Sequence, residues 1–394
     1  MKSRLAFVAL LGMALACRPT TGIQSPPPPP PVAPPPPPPP PNHAPVAVIG
    51  GPYTTSDGVV HVDGSQSSDP DNDALTFRWD FGDGTSGDSM KMSHTYASNG
   101  TYNISLVVSD AKGAKDTATT TASVALEQAA ILVGAGNIAT CGSPNDVATA
   151  QLIDQLPPDA TVFTLGDNAF PNGTLDDYTN CYGPSWGRFL SRTHATLGNH
   201  EYQTGTAKGS FDYFGDHVGP RDKGYYSYDL DGGAWHVIVL NDRGGNAIDA
   251  NQMSWLAADL QANAAPCTIA MWHVPLFLSS NTPGWTVNPD HKPIWDLLYA
   301  AGAEIVLNGQ QHDYERFAPM RPDGSVDSTR GIREFSVGTG GESVENFTTM
   351  HPNSQTHAAV FGVLKLTLRH NSFDWQFIPV AGSTYSDAGT GTCH

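Results

Sequence analysis

Residues 129–394 alternate between short apolar runs and longer segments in which apolar residues recur at every third or fourth position. The first pattern is typical of buried strands and the second of amphipathic helices, so their alternation predicts an α/β fold with layered sheets and helices. We predict strands at 131–133, 161–165, 235–240, 267–272, 304–307, 362–368 and 372–379, and helices at 146–156, 252–262 and 293–301.

Residues 45–126 have a different pattern, in which apolar and polar positions alternate over short runs at 59–62, 75–79 and 102–108. Clusters of Gly, Asp, Asn and Ser separate these runs, as turns separate strands. The spacing predicts a β-sandwich of about 80 residues. The chain is therefore expected to be multidomain, with this sandwich preceding the α/β domain.

The first 17 residues have the pattern of an export signal. Lys2 and Arg4 precede an apolar run of 12 residues, 5–16, which is too short to span a bilayer and has the length of a signal-peptide core. The run ends in Ala14-Leu15-Ala16-Cys17, which resembles a bacterial lipobox. We predict lipidation of Cys17 and a location in the cell envelope or outside the cell, with ordinary cleavage nearby as the alternative. A lipid on Cys17 would anchor the protein without a spanning helix.

Residues 18–44 form a spacer with proline runs at 26–31 and 34–41. Proline lacks a backbone N–H and favours the extended polyproline II conformation, which predicts a semi-rigid stalk. A linker of no tuned length is the alternative.

The chain is strongly acidic, with 20 Lys and Arg residues against 38 Asp and Glu residues and a formal net charge of −18. Such a charge disfavours nucleic acid and anionic membrane surfaces as partners. We therefore expect no nucleic-acid partner and membrane association only through the lipid. Any phosphorylated substrate must be attracted by local metal or backbone groups.

Four cysteines remain if Cys17 is lipidated: Cys141, Cys181, Cys267 and Cys393. An even number in an exported chain suggests two disulfides, for which four cysteines allow three pairings. We favour Cys141 with Cys181 and Cys267 with Cys393. The chain has no CxxC motif, so a cysteine zinc site is not expected.

The β-sandwich segment carries two motifs that resemble the PKD domain, an immunoglobulin-like fold. These are Trp79-Asp80-Phe81-Gly82-Asp83-Gly84-Thr85 and His94-Thr95-Tyr96 followed by Gly100-Thr101-Tyr102. The resemblance implies a spacer or a module that binds protein or carbohydrate. The acidic run with Asp69, Asp71, Asn72 and Asp73 offers ligands of the calcium type, but we favour a solvated loop.

Polar residues follow the predicted strands of the α/β segment, which is where such folds place their sites. The runs are Gly134-Ala135-Gly136-Asn137, Gly166-Asp167-Asn168-Ala169-Phe170, Gly198-Asn199-His200-Glu201, Trp272-His273-Val274-Pro275 and the stretch 309–316, which reads GQQHDYER. This series resembles the calcineurin-like metallophosphoesterases, and most closely the purple acid phosphatases, over residues 129–394. The resemblance implies a four-layer αββα domain.

The resemblance also implies a centre with two metal ions and assigns roles to five residues. Asp167 matches the carboxylate that bridges both ions, His312 matches a first-metal ligand, and Asn199 and His273 match second-metal ligands. His200 matches the residue that contacts the phosphate and assists the leaving group. We expect one or two ions of iron, zinc or manganese per chain.

Three positions depart from that pattern. Asn137 replaces a first-metal aspartate, Phe170 replaces the metal-binding tyrosine, and Gln310 replaces the first histidine of a GHxH motif. Phenylalanine cannot coordinate, and neutral amide oxygens are weak ligands for a transition metal. The sequence therefore predicts an exported, metal-dependent phosphoesterase of small phosphate esters, weakened by these substitutions. The alternative is a degenerate, non-catalytic binding protein on the same scaffold.

Other polar residues near these motifs are given secondary roles. We expect Glu201 and Tyr202 to shape their loop, and Asp313, Glu315 and Arg316 to support His312. His291 could reach the site, but surface exposure is favoured.

Overall fold

The computed structural model of the chain describes residues 37–126, 129–246 and 248–394. The predicted signal segment with Cys17, and most of the proline-rich spacer, lie outside the described residues. Within the described ranges, no helix combines the length and the apolar character that crossing a membrane requires.

The first module is a small β-sandwich, as the alternating runs predict. A five-stranded sheet has the order β1-β7-β6-β3-β4, and β2 pairs with β5. The side chains between the sheets include Trp79, Phe81, Tyr96, Ile104 and Leu106, all almost fully buried. The strands are β1 (Tyr53–Thr55), β2 (Val59–Asp63), β3 (Thr76–Asp80), β4 (Ser86–Gly87), β5 (Lys91–Thr95), β6 (Gly100–Ser109) and β7 (Lys115–Val124).

The second module alternates strands and helices, in agreement with its periodicity. Its helices are α1 (Asn145–Asp154), α2 (Leu175–Asp177), α3 (Lys208–Phe214), α4 (Ala250–Ala262) and α5 (Lys292–Ala301). Its strands are β8 (Ala130–Ala135), β9 (Thr161–Thr164), β10 (Thr193–His194), β11 (Tyr226–Leu230), β12 (Trp235–Val239), β13 (Cys267–Met271), β14 (Ile305–Asn308), β15 (Tyr314–Phe317), β16 (Arg333–Val337), β17 (Ser354–Ala358), β18 (Gly362–Arg369), β19 (Ser372–Pro379) and β20 (Asp387–Thr392).

Two mixed sheets form the centre of this module. One has the order β10-β9-β8-β18-β19-β20 and the other β11-β12-β13-β14-β16-β15-β17. The pairs β8–β9, β12–β13 and β13–β14 are parallel, so the loops that follow these strands emerge at the carboxyl ends of the sheets. This end of the molecule carries the polar motifs.

Two apolar clusters hold the layers together. The larger cluster joins both sheets and includes Ala150 and Ile153 of α1. The smaller cluster packs Leu256 of α4, together with Trp295 and Leu298 of α5, against the outer face of the second sheet. The αββα arrangement that the resemblance implied is confirmed.

Two disulfides close the second module, with the pairing favoured from the sequence. Cys141 bonds to Cys181, next to the loop that follows β9, and their Cα atoms are 4.4 Å apart. Cys267 at the start of β13 bonds to Cys393, with a Cα separation of 5.5 Å. The second disulfide fixes the C-terminal segment to the second sheet.

Candidate metal centre

Asp167 lies in the sharp loop that follows β9, and its side chain is 1% exposed. Its φ of +52° lies in the left-handed region, which is uncommon for a residue with a side chain. The preceding Gly166 also has positive φ, and a Cβ there would lie 2.6 Å from Nδ1 of His273. Glycine at 166 therefore allows the loop to bring the Asp167 carboxylate against His273.

Three of the predicted ligands converge on one point. Nε2 of His273 lies 3.3 Å from Oδ2 of Asp167 and 3.0 Å from Oδ1 of Asn199. Nδ1 of His273 lies 2.6 Å from the carbonyl oxygen of Leu165, which can only accept, so Nδ1 carries a proton and donates it. One carboxylate oxygen, one amide oxygen and one imidazole nitrogen thus share a buried position.

The electrostatics of the cluster follow from this burial. Burial alone would raise the pKa of Asp167, but the neighbouring His273 lowers it below the usual range. Burial would lower the pKa of His273, whereas Asp167 raises it to about 9. Oδ2 of Asp167 is buried and makes no hydrogen bond of normal geometry with the described residues. An unpartnered carboxylate oxygen beside an imidazole nitrogen and an amide oxygen fits a divalent cation.

His200 borders the same cluster from the solvent side. Its backbone N–H donates to Oδ1 of Asp167 at 2.8 Å, and its Nε2 lies 3.9 Å from Oδ2 of Asp167. Its Nδ1 donates to the carbonyl oxygen of Pro171 at 2.5 Å, which fixes the orientation of the ring. The Phe170 ring packs against this imidazole with a centroid separation of 4.3 Å. Nε2 of His200 is thereby directed toward the site.

The three departures from the family pattern take different places. Asn137 is fully buried, and neither polar atom of its side chain has a hydrogen-bond partner among the described residues. Phe170 is buried beneath His200 and offers no ligand atom. The backbone N–H of Gln310 donates to the carbonyl oxygen of His273 at 3.0 Å, so the backbone of Gln310 lies next to that of His273.

His312, the remaining predicted ligand, contacts a loop that comes later in the chain. Its Nδ1 lies 2.7 Å from Oγ of Ser343 and 3.1 Å from Oε2 of Glu342. Across the described ranges, Asp167, His273 and His312 do not place their ligand atoms within 4.8 Å of one another. The half of the centre that would require Asn137 and Phe170 as ligands is the less complete half, because neither side chain supplies an anionic ligand.

Glu201 is a structural residue whose role the sequence suggested only loosely. It is fully buried, and its Oε2 accepts from the backbone N–H groups of Gly198 at 2.6 Å and Asp167 at 2.8 Å. Its Oε1 accepts from the N–H of Asn168 at 2.8 Å and from the Tyr178 hydroxyl at 2.9 Å. Burial and the nearby Asp167 raise the pKa of Glu201. The carboxylate ties both ligand loops to each other.

A second buried pair lies behind Asn199. Asp242 accepts from the backbone N–H of Val274 at 2.8 Å, and its Oδ2 lies 3.8 Å from Nε2 of His291. His291 is fully buried, so the favoured expectation of an exposed His291 is wrong. It packs against Trp272, which a sequence without contacts could not reveal.

The first module also brings acidic side chains together. Asp69, Asp73 and Asp110 place one oxygen each within 4.8 Å of one another. Asp110 lies about forty residues beyond the acidic run, so its participation was not evident from the local sequence. Lys112 makes an ion pair with Asp73 at 3.0 Å, which offsets part of this negative charge.

Comparisons with known proteins agree with this architecture. Residues 42–125 match the family model described as PKD domain, and residues 130–314 match the model described as calcineurin-like phosphoesterase. Purple acid phosphatase 15 of Arabidopsis thaliana is 26% identical over 189 residues, which cover 39% of this chain and 35% of that protein. The chain thus aligns with about a third of that relative's length.

Solved structures share the fold at low sequence identity. The purple acid phosphatase PPD1 from yellow lupin seeds superimposes with a TM-score of 0.56 at 18% identity, covering 89% of this chain and 74% of the other. The Plasmodium protein GAP50, described as the anchor in the inner membrane complex, gives a TM-score of 0.53 at 13% identity, covering 66% and 88%. The chain consists of a PKD domain followed by a domain that belongs to the calcineurin-like phosphoesterase family and has the purple acid phosphatase fold.

Proposed function

We propose that the second module is a phosphoesterase that holds one divalent cation through Asp167, Asn199 and His273 and hydrolyses small phosphate esters slowly. The observation that supports this is the convergence of these ligand atoms within 3.3 Å of Nε2 of His273. Purple acid phosphatases use two metal ions, and this chain retains most completely the ligand set of the second ion. When bound, iron, zinc or manganese would supply positive charge that stabilises the phosphoryl group during displacement.

Residues of the chain would orient the ester and donate a proton to the leaving group. Asn199 and Asp167 would orient the ester against Nε2 of His200, which the Pro171 carbonyl directs toward the site. A proton held on Nε2 of His200 would pass to the leaving oxygen as the bond to phosphorus breaks. The acidic chain does not attract an anionic ester over long distances, so binding depends on this local positive charge.

Slow turnover follows from the incomplete half of the centre. Two-ion centres stabilise both the attacking and the leaving oxygen. Asn137 and Phe170 replace charged ligands with groups that contribute no charge. One of the two oxygens therefore loses its electrostatic support.

Metal analysis combined with an activity assay tests this proposal. Purified protein made without chelators should contain one transition-metal ion per chain and should hydrolyse p-nitrophenyl phosphate when that ion is supplied. His273→Ala should lose both the ion and the activity, whereas His61→Ala, on the exposed side of β2, should keep both. Absence of turnover between pH 4 and pH 9 with manganese, zinc and iron supplied in turn would contradict the proposal.

A second candidate function is non-catalytic binding on the same scaffold. The unpartnered amide of Asn137, together with Phe170 and Gln310, favours it. GAP50, which has this fold, is described as an anchor, so the scaffold also supports assembly. The triple variant Asn137→Asp, Phe170→Tyr and Gln310→His should then gain activity that the wild type lacks. A triple variant no more active than the wild type would rule this candidate out.

The proposed setting is the cell envelope, with residues 1–17 as the export signal and residues 18–44 as a stalk. The two disulfides support it, since disulfides persist in oxidising compartments. Residues 45–126 and 129–394 would then be presented outside the membrane, the first as a spacer or as a module that binds protein or carbohydrate. Expression with a radiolabelled fatty acid should label the wild type and leave Cys17→Ser unlabelled, and label on both proteins would contradict lipidation at Cys17.

A further inference from the structure

Helices α4 and α5 cover apolar side chains on the outer face of the second sheet. Another part of the same face carries a row of polar side chains. Asn308 of β14 pairs with Ser336 of β16, and Ser336 pairs in turn with Glu315 of β15. Glu334 precedes Ser336 by two residues on the same strand, so it projects from the same face. Because neighbouring strands lie about 4.8 Å apart, these four side chains occupy one small area of the sheet.

These side chains are buried and largely without partners. Asn308, Glu315 and Glu334 are 0% exposed, and Ser336 is 1% exposed. Oδ1 of Asn308 and Oγ of Ser336 make no hydrogen bond with the described residues. The carboxylate oxygens of Glu334 make none of normal geometry there, and only the backbone amides of Leu276 and Phe277 approach them. About 90% of buried polar groups in folded proteins are hydrogen-bonded, so four such atoms on one patch indicate a missing partner.

The orientation of the row is set by its few hydrogen bonds. Nδ2 of Asn308 donates to the carbonyl oxygen of Trp272 at 2.9 Å, which leaves Oδ1 free on the other side of the amide. Oε1 of Glu315 accepts from the hydroxyl of Ser279 at 2.6 Å. The free atoms are thus oxygens with available lone pairs.

The negative charge of the patch is only partly compensated. Burial raises the pKa of Glu334 well above its usual value, and the charge of Glu315 adds to the effect. The backbone amides of Leu276 and Phe277 counteract this shift for Glu334, and the exposed His357 on β17 does so for Glu315. No Lys or Arg side chain is among the groups that act on either carboxylate.

We propose that Glu315, Glu334, Ser336 and Asn308 bind a hard divalent cation of the calcium type. The set consists of oxygens alone, with two carboxylates, one amide oxygen and one hydroxyl, and calcium prefers such ligands with water completing its shell. Transition metals are not favoured, because the four residues offer neither an imidazole nitrogen nor a sulfur, and the neighbouring His357 is exposed. This site is separate from Asp167, Asn199 and His273, and it does not depend on the proposed hydrolysis.

The bound cation would fasten the segment that follows His273 to the sheet. Leu276, Phe277 and Ser279 of this segment approach the two carboxylates. With the charge neutralised, these contacts would hold the segment without the cost of two buried anions. The cation would therefore act as a structural support, with its effect measured as stability.

A background variant isolates the proposed site. Asp69→Asn, Asp73→Asn and His273→Ala together remove the other two places where ligand atoms converge. After gel filtration in calcium-containing buffer, this full-length protein should retain one calcium ion per chain, and its melting temperature should fall when EDTA replaces calcium. Adding Glu334→Gln should abolish both effects. Adding Glu304→Gln, a buried carboxylate at the start of β14 and away from the patch, should leave both unchanged.

Two results would overturn the proposal. One is a background protein that holds no calcium and melts at the same temperature with and without EDTA, which would mean that the carboxyl groups are buried as neutral acids. The other is calcium binding that persists in the Glu334→Gln variant. Should that variant fail to fold, Ser336→Ala removes one oxygen at little cost in volume and should weaken calcium binding at least tenfold, and unchanged affinity would equally refute the site.

Discussion

The substitution Glu201→Gln measures how strongly one buried carboxylate holds the candidate metal centre in shape. Glu201 accepts four hydrogen bonds, three of them from backbone N–H groups of Gly198, Asp167 and Asn168. A glutamine keeps one acceptor oxygen, and its NH₂ group faces at least one backbone N–H that then has no acceptor. Losing a charge-assisted bond and leaving a buried donor unpaired cost about 1.5–3 and about 1–3 kcal/mol respectively. We expect the free energy of unfolding to fall by about 3–5 kcal/mol.

Urea unfolding and metal titration check this value together. Tyr178→Phe is the matched control: it removes a hydroxyl that donates to Oε1 of Glu201 and also bonds to Oγ of Ser210, and it should cost about 1–2 kcal/mol. Because Glu201 positions Asp167, the Gln variant should also bind the transition-metal ion about 10–100-fold more weakly, as supporting residues of metal sites do. A loss of stability no larger than that of Tyr178→Phe, with unchanged metal affinity, would refute the reasoning.

Three further predictions concern stability. Burial raises the pKa of Glu304 from 4.5 to about 7, so between these pH values the folded state holds a proton that the unfolded chain has lost. The free energy of unfolding should therefore fall by up to about 3 kcal/mol as the pH rises from 4.5 past 7. Urea titrations at several pH values should show this fall in the wild type and not in Glu304→Gln. Replacing both cysteines of a disulfide by serine should lower the free energy of unfolding, and more so for the longer loop. Loop entropy predicts about 5 kcal/mol for Cys267 and Cys393, which are 126 residues apart, and about 4 kcal/mol for Cys141 and Cys181, which are 40 apart. Calorimetry should give this order, and the reverse order would contradict the entropic account. Gly389→Ala would place a carbon 2.2 Å from the Trp375 ring and should cost about 1–3 kcal/mol in thermal unfolding, while Gly100→Ala, with no neighbour closer than 3.4 Å, should not show this loss.

The location of the candidate site could be predicted because parallel strands bring their following loops to one edge. Asp167, Asn199 and His273 come from three such loops, and the structure places them together. Their role as ligands, like that of His200 and His312, stays a prediction. The contacts of His312 with Glu342 and Ser343 were not predicted, because these residues are about thirty positions away and carry no local signal.

Most helices and strands could be predicted where apolar periodicity was strong. Helix α5 begins at Lys292, one residue before its prediction, and β19 matches its predicted range. Ten of the twenty described strands were not predicted, and two of them, β7 and β20, show that partners can stabilise a strand with a weak local pattern. β7 is rich in Thr and Ala and lacks strong alternation, yet it pairs along its full length with β6. In β20, Gly389 and Gly391 lie beneath the rings of Trp375 and Phe373, so these aromatic residues fill the space that side chains of the strand would otherwise occupy.

The pairing of β8 with β18 has a consequence for how the second module forms. β8 is the first strand of the module and lies inside its sheet, where residues 130–134 pair with residues 364–368. Such a contact joins positions more than 200 residues apart, and contacts of this kind form late and slow the folding of a domain. While the protein is being synthesised, Leu132 and Val133 thus emerge early but remain without one neighbouring strand until residues 364–368 have followed. During that interval the unpaired edge of β8 is a site at which the newly made chain is prone to aggregate.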